Sequence, residues 1–133
     1  MKVFFDTNVL VSAIATRGLC ADIVNAALVE HQLVVGETVL AELRQVLQQK
    51  LKLPATLIEE TESFLRLHAI VVKAGEVPEV RIRDTKDKII LAEALAGKAD
   101  VLVTGDQDLL EVAVPARVKI LAPRGFWEML RQS

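Results

Sequence analysis

The sequence predicts an α/β fold: a central, mainly parallel sheet of about five strands with helices on both faces. Three observations carry this. Short apolar runs, mostly β-branched, alternate along the chain with segments of helical periodicity. Such alternation requires crossover connections, which make the strands parallel and cover both faces of the sheet. The chain has 133 residues, 52% hydrophobic and 26% charged, which suits one globular domain over residues 1–133 with a real core.

The elements follow in order. Val3, Phe4 and Phe5 form an apolar run that predicts a buried strand over Lys2–Phe5, and Asp6-Thr7-Asn8 then turns the backbone. A short helix is expected over Val9–Ala15 and a longer one over Ala21–Glu30, ahead of a strand at Leu33–Val35. Val39, Leu43, Val46 and Leu47 define the buried face of a helix over Val39–Leu51, and Ala55–Leu67 gives another. A third strand, Ala69–Val72, leads into Lys73–Arg83, the one long irregular connection, with Gly75, Pro78 and charges of both signs. Thr85–Ala96 is the next helix, Val101–Thr104 and Val118–Leu121 are the last strands, and Phe126–Arg131 is the last helix. No repeat, low-complexity tract or domain boundary interrupts this order.

Composition narrows the function classes. A net charge of −2 and a pI near 5.7 give no global attraction to nucleic acid or anionic lipid. A polyanion would need a local basic patch or bound cations. The lone Cys20 cannot form an internal disulfide, which points to a reducing, cytoplasmic setting. Residues 1–15 superficially resemble a secretion signal, but Asp6 and Asn8 break the apolar stretch. No apolar run approaches membrane-spanning length, so no membrane partner is expected.

Ligands of open parallel sheets bind beyond the carboxyl ends of the strands. Two predicted strands end there on polar signals, Asp6-Thr7-Asn8 and Thr104-Gly105-Asp106. Asp6 between two apolar segments is costly to desolvate unless something compensates its charge. A helix N-cap is one answer for Asp6 and for Asp106, ahead of a short turn at Gln107–Leu110. Asp84-Thr85-Lys86-Asp87 resembles a capping box, with Asp84 as the cap. Asp87, however, shares an azimuth with Leu91 and Ala94, which places it on the buried stripe. Glu42 lies at the margin of its helix's buried face, where pairing with Arg44 or Lys50 is the plain alternative.

Four carboxylates converging on one crevice repel. Two unit charges about 4 Å apart at an effective dielectric of about 20 cost roughly 4 kcal/mol. Protons or hard divalent cations, Mg²⁺ or Mn²⁺, would relieve the cluster, and His31 and His68 are expected away from that edge.

The ordered set DTNV (6–9), Glu42, DTKDKIILAEA (84–94) and VTGDQDLL (103–110) resembles the PIN-domain family of metal-dependent ribonucleases. The resemblance covers nearly the whole chain and is nearest to bacterial PIN proteins regarded as toxins of toxin–antitoxin pairs. It implies an acidic metal and catalytic site of Asp6, Glu42, Asp87 and Asp106, with Thr7, Asn8 and Thr104 as polar supports. Asp84 beside Asp87 and Asp108 beside Asp106 remain alternatives within their segments. It also implies cleavage of single-stranded RNA, with Mg²⁺ or Mn²⁺ activating water and leaving 5′-phosphate and 3′-hydroxyl ends. A small antitoxin would restrain the activity.

Arg81, Arg83, Lys86 and Lys88 flank the 84–87 segment as candidates for the substrate backbone, with a solvated charge run as the alternative. Without Tyr, and with four Phe and one Trp, the chain has few base-stacking groups, and monomer and homodimer are both open.

Two further alternatives stand beside this one. A receiver-like phosphoacceptor module would need an aspartate ending the third strand, where Lys73-Ala74-Gly75 follows Val72, and a lysine before Pro123, where Ala122 stands. A catalytically inactive, RNA-binding form of the fold is the other. An aspartyl-nucleophile phosphatase would want Asp where Asn8 stands.

Overall fold

The computed structural model describes residues 1–112 and 118–132. β1 (Lys2–Phe5) leads through α1 (Thr7–Ala15) and α2 (Leu19–Glu30) to β2 (Gln32–Gly36). Then come α3 (Glu37–Gln49), α4 (Ala55–His68) and β3 (Ile70–Val72). After the irregular 73–84 connection follow α5 (Thr85–Ala96), β4 (Val101–Val103), α6 (Gln107–Leu110), β5 (Lys119–Leu121) and α7 (Pro123–Arg131).

The five strands form one sheet in the order β3-β2-β1-β4-β5, every pair parallel. Successive strand residues point to opposite faces. Val3, Phe4 and Phe5 are all fully buried, as are Val101, Leu102 and Val103. Both faces of the central strands are therefore covered, as a parallel sheet requires. Phe5 meets Phe126 of α7 edge to face, with ring centroids 5.9 Å apart, and so fastens the last helix onto the first strand. No single helix among the described residues is long and apolar enough to cross a membrane.

Three helix starts at the sheet's carboxyl edge are capped by aspartates, whereas α2, α3, α4 and α7 have no side-chain cap from their own N-cap residue. Asp6 caps α1 by accepting from the Thr7 amide, Asp84 caps α5 through the Lys86 amide, and Asp106 caps α6 through the Asp108 amide. Pro123 opens α7 from its first turn. α3 has no cap of its own, because Gly36 stands at its N-cap position.

The exit of α5 packs tightly. A Cβ on Gly97 would lie 2.6 Å from Val34 Cγ1, so only glycine lets the helix end approach β2. The left-handed residue that reverses the chain is then the next one, Lys98, at φ 53°. That conformation is costly for a side chain and free for glycine. Lys98→Gly should raise stability by about 0.5–1 kcal/mol in a denaturant titration, the relieved backbone outweighing the added unfolded-state entropy.

Candidate metal centre

The chain runs outward from β1 to β2 and β3, then returns to β4 beside β1 and continues to β5. The direction reverses between β1 and β4, and crevices of open sheets lie at that reversal, beyond the carboxyl ends. Asp6 follows β1 there, and Thr104-Gly105-Asp106 follows β4.

Asp6 is buried and doubly held: the Thr7 amide donates to Oδ1 at 2.7 Å and the Thr104 hydroxyl to Oδ2 at 2.7 Å. The same Thr104 oxygen accepts from the Asp106 amide at 3.0 Å, so one side chain spaces two acids. Burial pushes the Asp6 carboxyl up, the hydrogen bonds from Thr104 and Thr7 pull it down, and Asp106 pushes it up again. Part of the compensation expected of a cation is thus supplied by hydrogen bonds. Asn8 is exposed and takes no part in holding Asp6.

Asp87 projects from the first turn of α5 at 8% exposure, as its place on the buried stripe predicts. Carboxylate oxygens of Asp87, Asp106 and Asp108 lie within 4.8 Å of one another. Burial, then the charges of Asp106, Asp84 and Asp6, raise the Asp87 carboxyl to about 7. The cluster therefore holds a proton near neutrality. A divalent cation can take that proton's place, since the groups offer only carboxylate oxygens and no histidine or cysteine joins them among the described residues. The residues present fit a hard cation.

Glu42 is half-buried, and the Thr7 hydroxyl reaches its Oε1 at a long 3.4 Å. Its ionic partner is Lys86, Nζ to Oε2 3.7 Å, and neither Arg44, which pairs with Glu62, nor Lys50. Asp84 is exposed and spends an oxygen on the Lys86 amide at 2.8 Å. Arg81 and Arg83 are exposed and make no ion pair among the described residues, and Lys88 is half-buried. His31 sits by the N-terminal amine and His68 against the Phe64 ring, both apart from the acids.

One buried acid escaped the sequence reading. Glu93 is 1% exposed, and its Oε2 accepts from the Thr38 amide of α3 at 2.8 Å. The signal was present: Glu93 is the lone charge in the apolar run Ile89–Ala96.

A phosphoacceptor role fits this geometry poorly, because β3 is an edge strand, separated from β1 by β2, and Lys73 follows it.

No curated protein matches the sequence. Among solved structures, VapBC2 from Rickettsia felis, crystallised bound to a DNA fragment from its promoter, is similar with a TM-score of 0.66. The superposition covers 92% of this chain and 98% of that one at 17% identity, a likeness of fold. Residues 2–108 match the family described as PIN domain, a span from β1 to Asp108 that includes every acid of the cluster. By that match the chain belongs to the PIN domain family.

Proposed function

We propose that the protein is a Mg²⁺- or Mn²⁺-dependent endoribonuclease of single-stranded RNA and the toxin of a type II toxin–antitoxin pair in the cytoplasm, with the domain spanning residues 1–133. The observation that carries the reading is the convergence of Asp87, Asp106 and Asp108 within 4.8 Å at the sheet's reversal point, with Asp6 beside them. PIN domains are generally nucleases, which agrees with an acidic cluster of this kind.

Asp6, Glu42, Asp87 and Asp106 are proposed as the catalytic and metal-holding acids, and Asp108 as an added oxygen donor. A bound divalent ion would supply Lewis acidity to the scissile phosphate and lower the pKa of a water. Asp87, whose carboxyl is raised to about 7, would have to give up its proton to hold such an ion. Thr7 and Thr104 keep Asp6 oriented, and Asp84 caps α5. Lys86 pairs with Glu42 and, with Arg81, Arg83 and Lys88, is proposed to face the RNA backbone.

The test is cleavage of a labelled single-stranded RNA with Mn²⁺, Mg²⁺ or EDTA. Cleavage confined to the metal lanes, with duplex RNA spared, is expected. Equal cleavage in EDTA overturns the metal-dependent reading.

An antitoxin partner is proposed from the likeness to a toxin–antitoxin complex and from an apolar groove of about 310 Å³ between α1, α2 and α4. Leu10, Ile14, Val24, Leu28 and Phe64 line it, and Ile14 and Phe64 are 41% and 47% exposed. Phe64→Asp should weaken binding of the neighbouring-gene antitoxin at least 10-fold in a titration, as loss of a buried aromatic anchor does. Unchanged affinity places the antitoxin elsewhere.

A further inference from the structure

Glu93 is an expensive residue to keep. Its carboxylate is almost entirely shielded, Oε2 takes the Thr38 amide, and Oε1 has no well-formed hydrogen bond among the described residues, although the Thr38 hydroxyl and Val39 amide also act on the carboxylate. Burial raises its pKa, and the Thr38 and Val39 groups pull it back only in part. A buried polar atom left unsatisfied costs stability, so the side chain needs another reason to be there.

The reason lies at the start of α3. Four amides at a helix N-terminus lack partners within the helix, and a side chain at the N-cap normally takes one of them. Gly36 has no side chain to offer. Nor is there room for one, since a Cβ at residue 36 would lie 2.0 Å from Glu93 Oε1. The space of a local cap is filled by a carboxylate from α5, which also suits the positive end of the α3 dipole. Thr38 and Glu93 are 55 residues apart in sequence.

α3 carries Glu42, and α5 carries Asp87 six residues before Glu93. Glu42 lies about one turn beyond Thr38, roughly 6 Å along the helix at 1.5 Å per residue. The Glu93–Thr38 bond therefore ties the two helices that bear acids of the proposed site.

We infer that Glu93 is the N-terminal cap of α3, supplied in trans from α5, and a positioning residue that fixes Glu42 relative to Asp87. The positioning half rests on the metal-site reading above; the capping half does not.

The experiment compares Glu93→Ala, Glu93→Gln, Gly36→Ser and the double variant Gly36→Ser/Glu93→Ala in the full chain. Three readouts apply: amide exchange at Thr38, Val39 and Leu40, the melting temperature in EDTA, and Mn²⁺ affinity by calorimetry. Glu93→Ala should speed exchange at those amides, lower the melting temperature by several degrees, and weaken Mn²⁺ binding about 10-fold, as loss of a supporting partner does. Glu93→Gln keeps an acceptor and should keep the protection. Gly36→Ser alone should destabilise, because its Cβ meets the carboxylate. In the double variant the serine has room to cap α3 itself, so protection and Mn²⁺ affinity should both return toward wild type.

A double variant no better protected than Glu93→Ala, or Glu93→Gln as unprotected as Glu93→Ala, overturns the capping role. Lost protection with unchanged Mn²⁺ affinity overturns the positioning role. A wild type that binds no Mn²⁺ overturns the metal reading and the positioning role with it, while amide exchange still decides the cap.

Discussion

Asp87→Asn should melt at a higher temperature than wild type in EDTA and gain almost nothing from Mn²⁺. The cause is the proton held by the cluster. Burial and the charges of Asp106, Asp84 and Asp6 raise the Asp87 carboxyl to about 7 in the folded protein, against 3.8 for the free side chain. Between those two values the folded chain binds a proton that the unfolded chain has released. Stability contributed by this group therefore falls as pH rises from about 4 to about 7 and is level above that. Asp6, also raised by burial, acts in the same direction.

Asparagine has no charge to lose, so the gap between variant and wild type should open across that window and be widest above pH 7. There it should reach about 1–3 kcal/mol, an ionised Asp87 facing its neighbours with some relaxation allowed. Wild type should recover about 2.7 kcal/mol with Mn²⁺ at about a hundred times Kd. Its Mn²⁺ affinity should rise with pH until about 7, since the cation displaces the proton. Melting curves from pH 4 to 8, with and without Mn²⁺, check all of this. A variant less stable than wild type at pH 7.5 in EDTA would show that Asp87 is not under electrostatic stress.

Asp106→Asn should lower RNA cleavage by about 10²-fold or more while leaving the fold intact, because it removes charge from the site and keeps shape. Asp106 has two tasks that one substitution separates. As a cap it accepts the Asp108 amide, which an asparagine oxygen does as well. As a proposed metal-holding group it needs its negative charge. Asp84→Ala is the converse control: it removes the α5 cap, at a cost of about 1 kcal/mol, and should leave cleavage per folded molecule near wild type. Single-turnover assays on variants matched for folded fraction make the comparison. Asp106→Asn with full activity, or Asp84→Ala without any, reverses the proposed roles.

Elements were legible in the sequence where their signals are local. α5 runs over the residues its periodicity predicts, with Asp84 before it, and β1 ends at Phe5. The order of polar stops after β1 and β4 placed the crevice, and the azimuth of Asp87 placed it on the buried stripe. Starts drifted where the deciding group was overlooked or remote. α7 begins at Pro123 and not Phe126, because proline is suited to the first helical turn. α1 begins at Thr7, directly after its cap, and α2 at Leu19. α3 begins at Glu37, two residues before Val39, and Glu93, distant in sequence, bonds the Thr38 amide there. No local reading of 33–51 contains that bond. The Lys86–Glu42 pair and the nearness of Asp108 to Asp87 are likewise products of packing between segments that periodicity treats separately.

The hydrogen bond from Thr104 to Asp6 spans 98 residues, and it joins the strands whose ends carry the first and last acids of the site. Closing so long a stretch of chain is slow relative to forming helices, and it requires both strands to exist. During synthesis, a growing polypeptide that stops before β4 carries Asp6, Glu42 and Asp87 but neither Asp106 nor Asp108. Such a polypeptide lacks two of the five acids of the proposed site. On the proposed reading, a product that stalls before β4 would be inert toward RNA, because the site is assembled only when Thr104 and the acids that follow it reach Asp6.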